Sequence, residues 1–108
     1  MYLRDNVFTS CEVWVAVDGD AIVGFCAFRE GWVDQLYVGP AHQGRGIGSA
    51  LLQQAKDRQK RVQLWTFQRN RRALAFYVAH GFCVVETTDG SGNEEREPDV
   101  LLAWADPL

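Results

Sequence analysis

Between Leu36 and Leu52 the chain reads LYVGPAHQGRGIGSALL, and here residue type and spacing speak most directly of chemistry. A β-like run stops at Gly39-Pro40, and Gly44, Gly46 and Gly48 then stand before and at the opening of a helical pattern. The first N–H groups of a helix have no partner inside it, and the positive end of the helix dipole lies behind them. Such an end can hold a phosphate or a diphosphate. Glycines remove the Cβ atoms that would keep the anion off the main chain, while Arg45 and Ser49 offer a positive charge and a hydroxyl donor. A tight strand-to-helix turn with no ligand also accounts for the glycines. The pattern lacks the Gly-Lys-Ser/Thr of a P-loop, and no acidic ribose partner follows at the distance a dinucleotide fingerprint requires.

The elements around this turn follow from hydrophobic periodicity. Residues 12–17 alternate and are β-branched, Asp18-Gly19-Asp20 is a turn, and residues 21–28 form an apolar run, which together predict a β-hairpin. Residues 32–38 read as a third strand, closed by Gly39-Pro40. Residues 45–58 space Ile47, Leu51, Leu52 and Ala55 as a helix does, with basic residues at its C-terminal end. A strand over 62–67 follows, then a helix capped by Asn70 that runs through His80 and stops at Gly81. Phe82–Glu86 is a strand, 89–98 a polar loop and 99–105 a last strand. The order β-β-β-α-β-α-β-β describes an α/β (α+β) mixed sheet with helices packed on it. On the residues alone, Tyr77 is an amphipathic-helix core residue beside Phe76.

With 108 residues the chain suits one domain, residues 1–108. A net charge of −3 gives no overall pull towards nucleic acid or anionic membranes, and no apolar run approaches membrane-span length. Cys11, Cys26 and Cys83 show neither CxxC nor metal-ligand spacing, so no metal site is expected. Cys26 and Cys83 sit in apolar runs, where a free thiol behaves as a small hydrophobe. Reduced thiols and the lack of a signal-peptide pattern at Met1–Asp5 point to the cytoplasm.

The segment Gln43-Gly44-Arg45-Gly46-Ile47-Gly48 resembles the Q/R-x-x-G-x-G/A motif of the GNAT family of N-acetyltransferases. Downstream, Asn70 to Phe82 resembles that family's N-x-x-A-x-x-F-Y-x-x-x-G-F pattern. The resemblance covers about residues 12–105 and implies an enzyme that moves an acetyl group from acetyl-CoA to a primary amine by direct attack. Position by position, it implies that Leu36, Tyr37 and Val38 pair by main chain with the pantetheine arm, one N–H polarising the thioester carbonyl. It implies that Gln43, Gly44, Arg45, Gly46, Ile47, Gly48 and Ser49 hold the pyrophosphate and that Asn70 contacts the cofactor arm. Tyr77 matches the tyrosine that protonates the departing thiolate, and a phenol and a thiol have comparable reference pKa values. Some relatives use a Glu on the strand before the second helix as base, but Leu64-Trp65-Thr66-Phe67 holds no carboxylate. Asp34 is the candidate base, with Glu30 and His42 behind it, or water as a relay; an exposed strand residue is the other reading of Asp34.

The family fold begins with a strand and two helices ahead of the hairpin, and only about eleven residues precede the first expected strand here. The chain is therefore expected to lack those elements, either as a short gene product or as a fragment. The surface so uncovered predicts a homodimer. A small amine is the expected acceptor, with Glu94, Glu95 and Glu97 of the 89–98 loop placed to attract a cation; a solvated loop is the other reading of that segment. A coenzyme A-binding regulatory or interaction protein without turnover is the alternative, and a nucleotide-binding module using the same turn is a third reading.

Overall fold

The computed structural model describes residues 2–7 and 11–106. Among these residues are seven strands and two α-helices, in two compact units, Met1–Lys60 and Arg61–Leu108.

The first unit carries β1 (Tyr2–Val7), β2 (Glu12–Asp18), β3 (Ala21–Arg29) and β4 (Trp32–Val38), then a short 3-10 turn (Pro40–His42) and α1 (Ile47–Arg58). The four strands are antiparallel neighbours in sequence order. The expected hairpin is present, with Gly19 at φ 62° in its turn. The expected order had no strand ahead of Glu12, and this is corrected: β1 runs along β2 from Tyr2 opposite Val17 to Val7 opposite Glu12. Its consecutive Arg4, Asp5 and Asn6 break the alternation that marks a strand, so nothing local announces it. The observed order is thus β-β-β-β-α-β-α-β-β.

Residues directly opposite in an antiparallel ladder share a face. Ala16, Gly24 and Val38 form one such row, and Trp14, Cys26 and Leu36 the next. On this face α1 buries Ile47, Leu51, Leu52 and Ala55, each larger side chain contributing roughly 1.5–3 kcal/mol. The helix is clamped at its far end. Arg58 lies 4.4 Å over the Trp14 ring and 3.0 Å from Glu12 Oε2, which also accepts from Trp14 Nε1 at 2.6 Å.

The second unit carries β5 (Arg61–Phe67), α2 (Arg71–Ala79), β6 (Cys83–Thr87) and β7 (Asp99–Ala105), with β7 antiparallel to both β5 and β6. Val62, Leu64, Phe82, Val100 and Leu102 are its buried aliphatic and aromatic residues, with Tyr77 of α2. β6 lies at an edge, and all five of its residues are exposed. Cys83 therefore does not sit in a core as its apolar neighbours Val84 and Val85 suggested; an edge strand spells like a central one. Cys26 does, at 0% exposure, and burial pushes its thiol up to about 12.

Candidate active site

The glycine-rich turn has the geometry an anion requires. Gly44 and Gly46 adopt φ 80° and 82°, in the left-handed region that favours glycine. Gly46 is the N-cap of α1, the first intrahelical bond runs from Ala50 N–H to Gly46 C=O at 3.0 Å, and no side chain caps the helix. The N–H groups of the first helical turn thus lie ahead of the α-helical ladder. The first turn contains no acidic residue, whereas Lys56 and Arg58 occupy the last, so side-chain charge leaves the positive end of the dipole intact. Nothing lies within 4 Å of the points where Cβ atoms would stand on Gly44 and Gly46. A diphosphate can approach this main chain, and the residues present fit one.

The other predicted residues of this unit divide by what they touch. Arg45 is exposed beside the turn, and Gly48 and Ser49 are half-buried in the first turn of α1. Ile47 is 3% exposed, its side chain in the core, so it offers a ligand its main chain. Gln43 has a structural task, because Nε2 donates to the Val38 carbonyl at 3.0 Å. Leu36 and Val38 are half-buried at the end of β4, and Tyr37 is 51% exposed, its ring 5.9 Å from that of Phe25.

Asp34 sits at an irregularity in the ladder. Gln35 opposes Ala27 and Val33 opposes Phe28, which leaves Asp34 as the extra residue of a β-bulge. A bulge re-aims the side chain it carries. Here the carboxylate accepts from Arg29 Nε with both oxygens, at 3.1 and 3.0 Å, on an exposed surface. His42 Nε2 lies 3.7 Å from an Asp18 oxygen, and Glu30 is exposed in the turn between β3 and β4.

In the second unit Asn70 caps α2, its side-chain oxygen accepting the Ala73 N–H at 3.1 Å. At the other end Phe82 N–H bonds Tyr77 C=O at 3.0 Å and Gly81 N–H bonds Val78 C=O at 3.1 Å, with Gly81 at φ 90°. This is a Schellman closure, and Tyr77 is the residue whose carbonyl it uses. The Tyr77 ring is also held edge-on, 5.3 Å from Phe76 and 5.5 Å from Phe82. The phenol is thus 9% exposed and fixed at both main chain and ring.

Two features escaped the sequence reading. Gly24, inside the apolar run of β3, is one: a glycine in a strand interior signals a bulge or a close backbone approach. The other is the order within the 88–99 loop. Gly90 is packed against the Glu97 main chain, Asn93 Nδ2 donates to Glu97 O at 2.8 Å and to Asp99 Oδ2 at 3.2 Å, and Thr88 Oγ1 donates to Asp99. Gln68 Nε2 joins the loop to the turn before α2, donating to Thr88 O at 2.9 Å. Trp65, Asp89, Asn93 and Asp99 are among the residues lining an open cavity of about 600 Å³ at this loop. The Ser91 N–H holds the Asp89 carboxyl below the usual carboxylate range. Among the described residues, no group of three or more His, Cys, Asp and Glu side chains is arranged to hold a metal ion.

The family profile of the acetyltransferase (GNAT) domain matches residues 9–84. The peptidyl-lysine N-acetyltransferase YiaC of Escherichia coli is 30% identical over 103 residues, covering 94% of this chain and 69% of its own length. The solution structure of apo YjaB from Escherichia coli superposes with a TM-score of 0.78 at 27% identity, over 88% of this chain and 65% of that one. A putative streptothricin acetyltransferase from Bacillus anthracis, solved with acetyl coenzyme A, shares the fold with a TM-score of 0.82 at 19% identity, over 93% of this chain and 65% of that one. The chain thus spans about two thirds of the length of these proteins.

Proposed function

The chain belongs to the acetyltransferase (GNAT) family, and from that premise we propose that it binds acetyl-CoA at the end of β4 and the N-terminus of α1 and acetylates a primary amine. The observation that carries this reading is the uncapped first turn of α1, opened by Gly44 and Gly46 with free space beside both. An anion-binding turn with the strand end just before it suits a ligand made of a diphosphate and an amide-bearing arm.

Acetyl-CoA supplies an activated acetyl thioester, and the chain's residues have four tasks. The N–H groups from Gly44 to Ser49, with the Arg45 guanidinium, hold the diphosphate. The main chain of Leu36, Tyr37 and Val38 pairs with the arm, one N–H donating to the carbonyl oxygen as it gains charge, while Asn70 contacts the arm through its amide nitrogen. Asp34, directly or through water, takes the proton the amine must lose as its nitrogen bonds to the acetyl carbon. Tyr77 gives its hydroxyl proton to the sulfur as the C–S bond breaks.

A cationic amine is the acceptor class we assign. The ordered cavity at the 88–99 loop offers an exposed Trp65 ring and the Asp89 and Asp99 carboxylates. Aromatic faces and carboxylates both attract an ammonium group. A small amine is the first choice, and a lysine side chain, the substrate class in the name of the relative YiaC, is the second.

The experiment is an acetylation assay over a panel of small amines and lysine peptides, read as free thiol. The reading requires thiol release that depends on both acetyl-CoA and an amine. Binding of acetyl-CoA with no amine-dependent thiol across the panel would favour a coenzyme A-binding regulator instead.

We further propose a cytoplasmic homodimer. The three free thiols suit a reducing compartment, and Tyr37, Val84 and Val85, each more than half exposed, are apolar surface for a second copy to cover. Sedimentation showing monomer throughout the micromolar range would contradict the dimer.

A further inference from the structure

We propose that Gly24 and Gln43 are positioning residues for the cofactor strand, holding the end of β4 from two sides so that its main chain meets the pantetheine arm. The inference rests on the acetyl-CoA reading above and adds two residues that act through β4 rather than on the ligand itself.

A Cβ built on Gly24 would stand 2.7 Å from the Tyr37 carbonyl oxygen, 3.4 Å from Val38 Cα and 3.4 Å from Leu51 Cδ1. Two of these neighbours are β4 main chain, and the third is the core face of α1, whose Leu51 is 0% exposed. A side chain at this position has nowhere to turn, so β4 must move. Glycine weakens a strand interior, and close approach is what its presence here gains.

The neighbouring residue strengthens the arrangement. Ala16 opposes Gly24 while Val17 opposes Ile22, so Val23 is the extra residue of a bulge in β3. Its carbonyl accepts the Gly39 N–H at 2.8 Å, one residue beyond the end of β4. From the other side the Gln43 amide donates to Val38 C=O at 3.0 Å. Tyr37, Val38 and Gly39 are therefore fixed by β3 behind them and by the glycine-rich turn ahead of them. The diphosphate end of the ligand depends on α1 and its turn, whereas the arm depends on this strand end, so the two halves of the ligand can be weakened separately.

Calorimetry with acetyl-CoA and with ADP, which carries a diphosphate and no pantetheine arm, separates the two. In Gly24→Ala and in Gln43→Met, acetyl-CoA affinity is expected to fall at least about tenfold while ADP affinity changes less than about twofold, a loss of ~1.4 kcal/mol confined to the arm. Gln43→Arg, which restores a donor, is expected to return the ratio of the two affinities towards that of the unsubstituted chain. Equal weakening of both ligands, or no weakening of either, overturns the inference. If Gly24→Ala does not fold, the exposed Gln43→Met and Gln43→Arg pair decides. Failure of the unsubstituted chain to bind either ligand would instead sink the acetyl-CoA reading.

Discussion

Gln43 Nε2 donates to the Val38 carbonyl at 3.0 Å, so the residue that opens the glycine-rich turn is tied to the last residue of the strand before it. The turn and the strand end are thereby tied to one another within the first unit. The proposed ligand, with its diphosphate at the first turn of α1 and its arm along β4, would span both sides of that tie.

Tyr77→Phe keeps the ring and removes the hydroxyl. The edge-on contacts with Phe76 and Phe82 survive. Steady-state kinetics should show kcat reduced about 10²-fold or more, the usual share of a general acid, with acetyl-CoA affinity nearly unaltered. Unchanged kcat would remove Tyr77 from the mechanism.

Gly81→Ala tests how Tyr77 is held. Gly81 sits at φ 90°, and a Cβ there would lie 3.2 Å from Trp104 Cδ1. A left-handed non-glycine residue costs roughly 1–2 kcal/mol, and crowding against Trp104 adds to it. Denaturant titration should show at least that loss, and kcat should fall with it, since the Schellman closure fixes the Tyr77 carbonyl. Asn70→Ala, which removes the cap of α2, should cost about 1 kcal/mol, and Asn70→Asp should recover most of it.

These two caps were legible because capping is local: an Asn before a helical run and a Gly after it mean the same in any fold. The glycine-rich turn was legible for the same reason, although α1 starts at Ile47 rather than residue 45. What escaped depends on partners distant in sequence. Tyr2–Val7 is a strand because β2 offers it an edge, and Cys83 is exposed because β6 is an edge strand whose five residues all face solvent. Asp34 meets Arg29 because of a one-residue irregularity that periodicity does not display. The 88–99 loop looks like a polar linker, yet Gly90 and Asn93 close it on Glu97.

Asp34→Asn separates structure from chemistry. The pair with Arg29 is exposed on both sides, and such pairs contribute about 0–1 kcal/mol, so stability should hardly move. If Asp34 takes the amine proton, kcat/KM should fall about 10²-fold. An unaltered kcat/KM would leave the proton to water or another group.

The thiols give a prediction in pH. Burial pushes the folded Cys26 thiol up from its ordinary value of 9.0 to about 12. Unfolded chains release this proton near the ordinary value and folded ones do not, so stability from this site is complete below about pH 9 and declines as pH rises towards 12. Denaturation followed from pH 8 upward should show the decline, and Cys26→Ala should remove it. Maleimide at pH 8 should label exposed Cys83 and leave Cys26 untouched until the chain unfolds.

Calorimetric titration of the chain with acetyl-CoA, repeated on Gly46→Ala, tests most directly whether the first turn of α1 grips a diphosphate. Saturable binding of one molecule per chain is expected, with a dissociation constant within about 1 μM–1 mM. Severe weakening is expected in Gly46→Ala, where a left-handed alanine must twist the turn at a cost of roughly 1–2 kcal/mol. A folded chain that releases no binding heat, or a Gly46→Ala variant that binds as tightly as the unsubstituted chain, would contradict that grip.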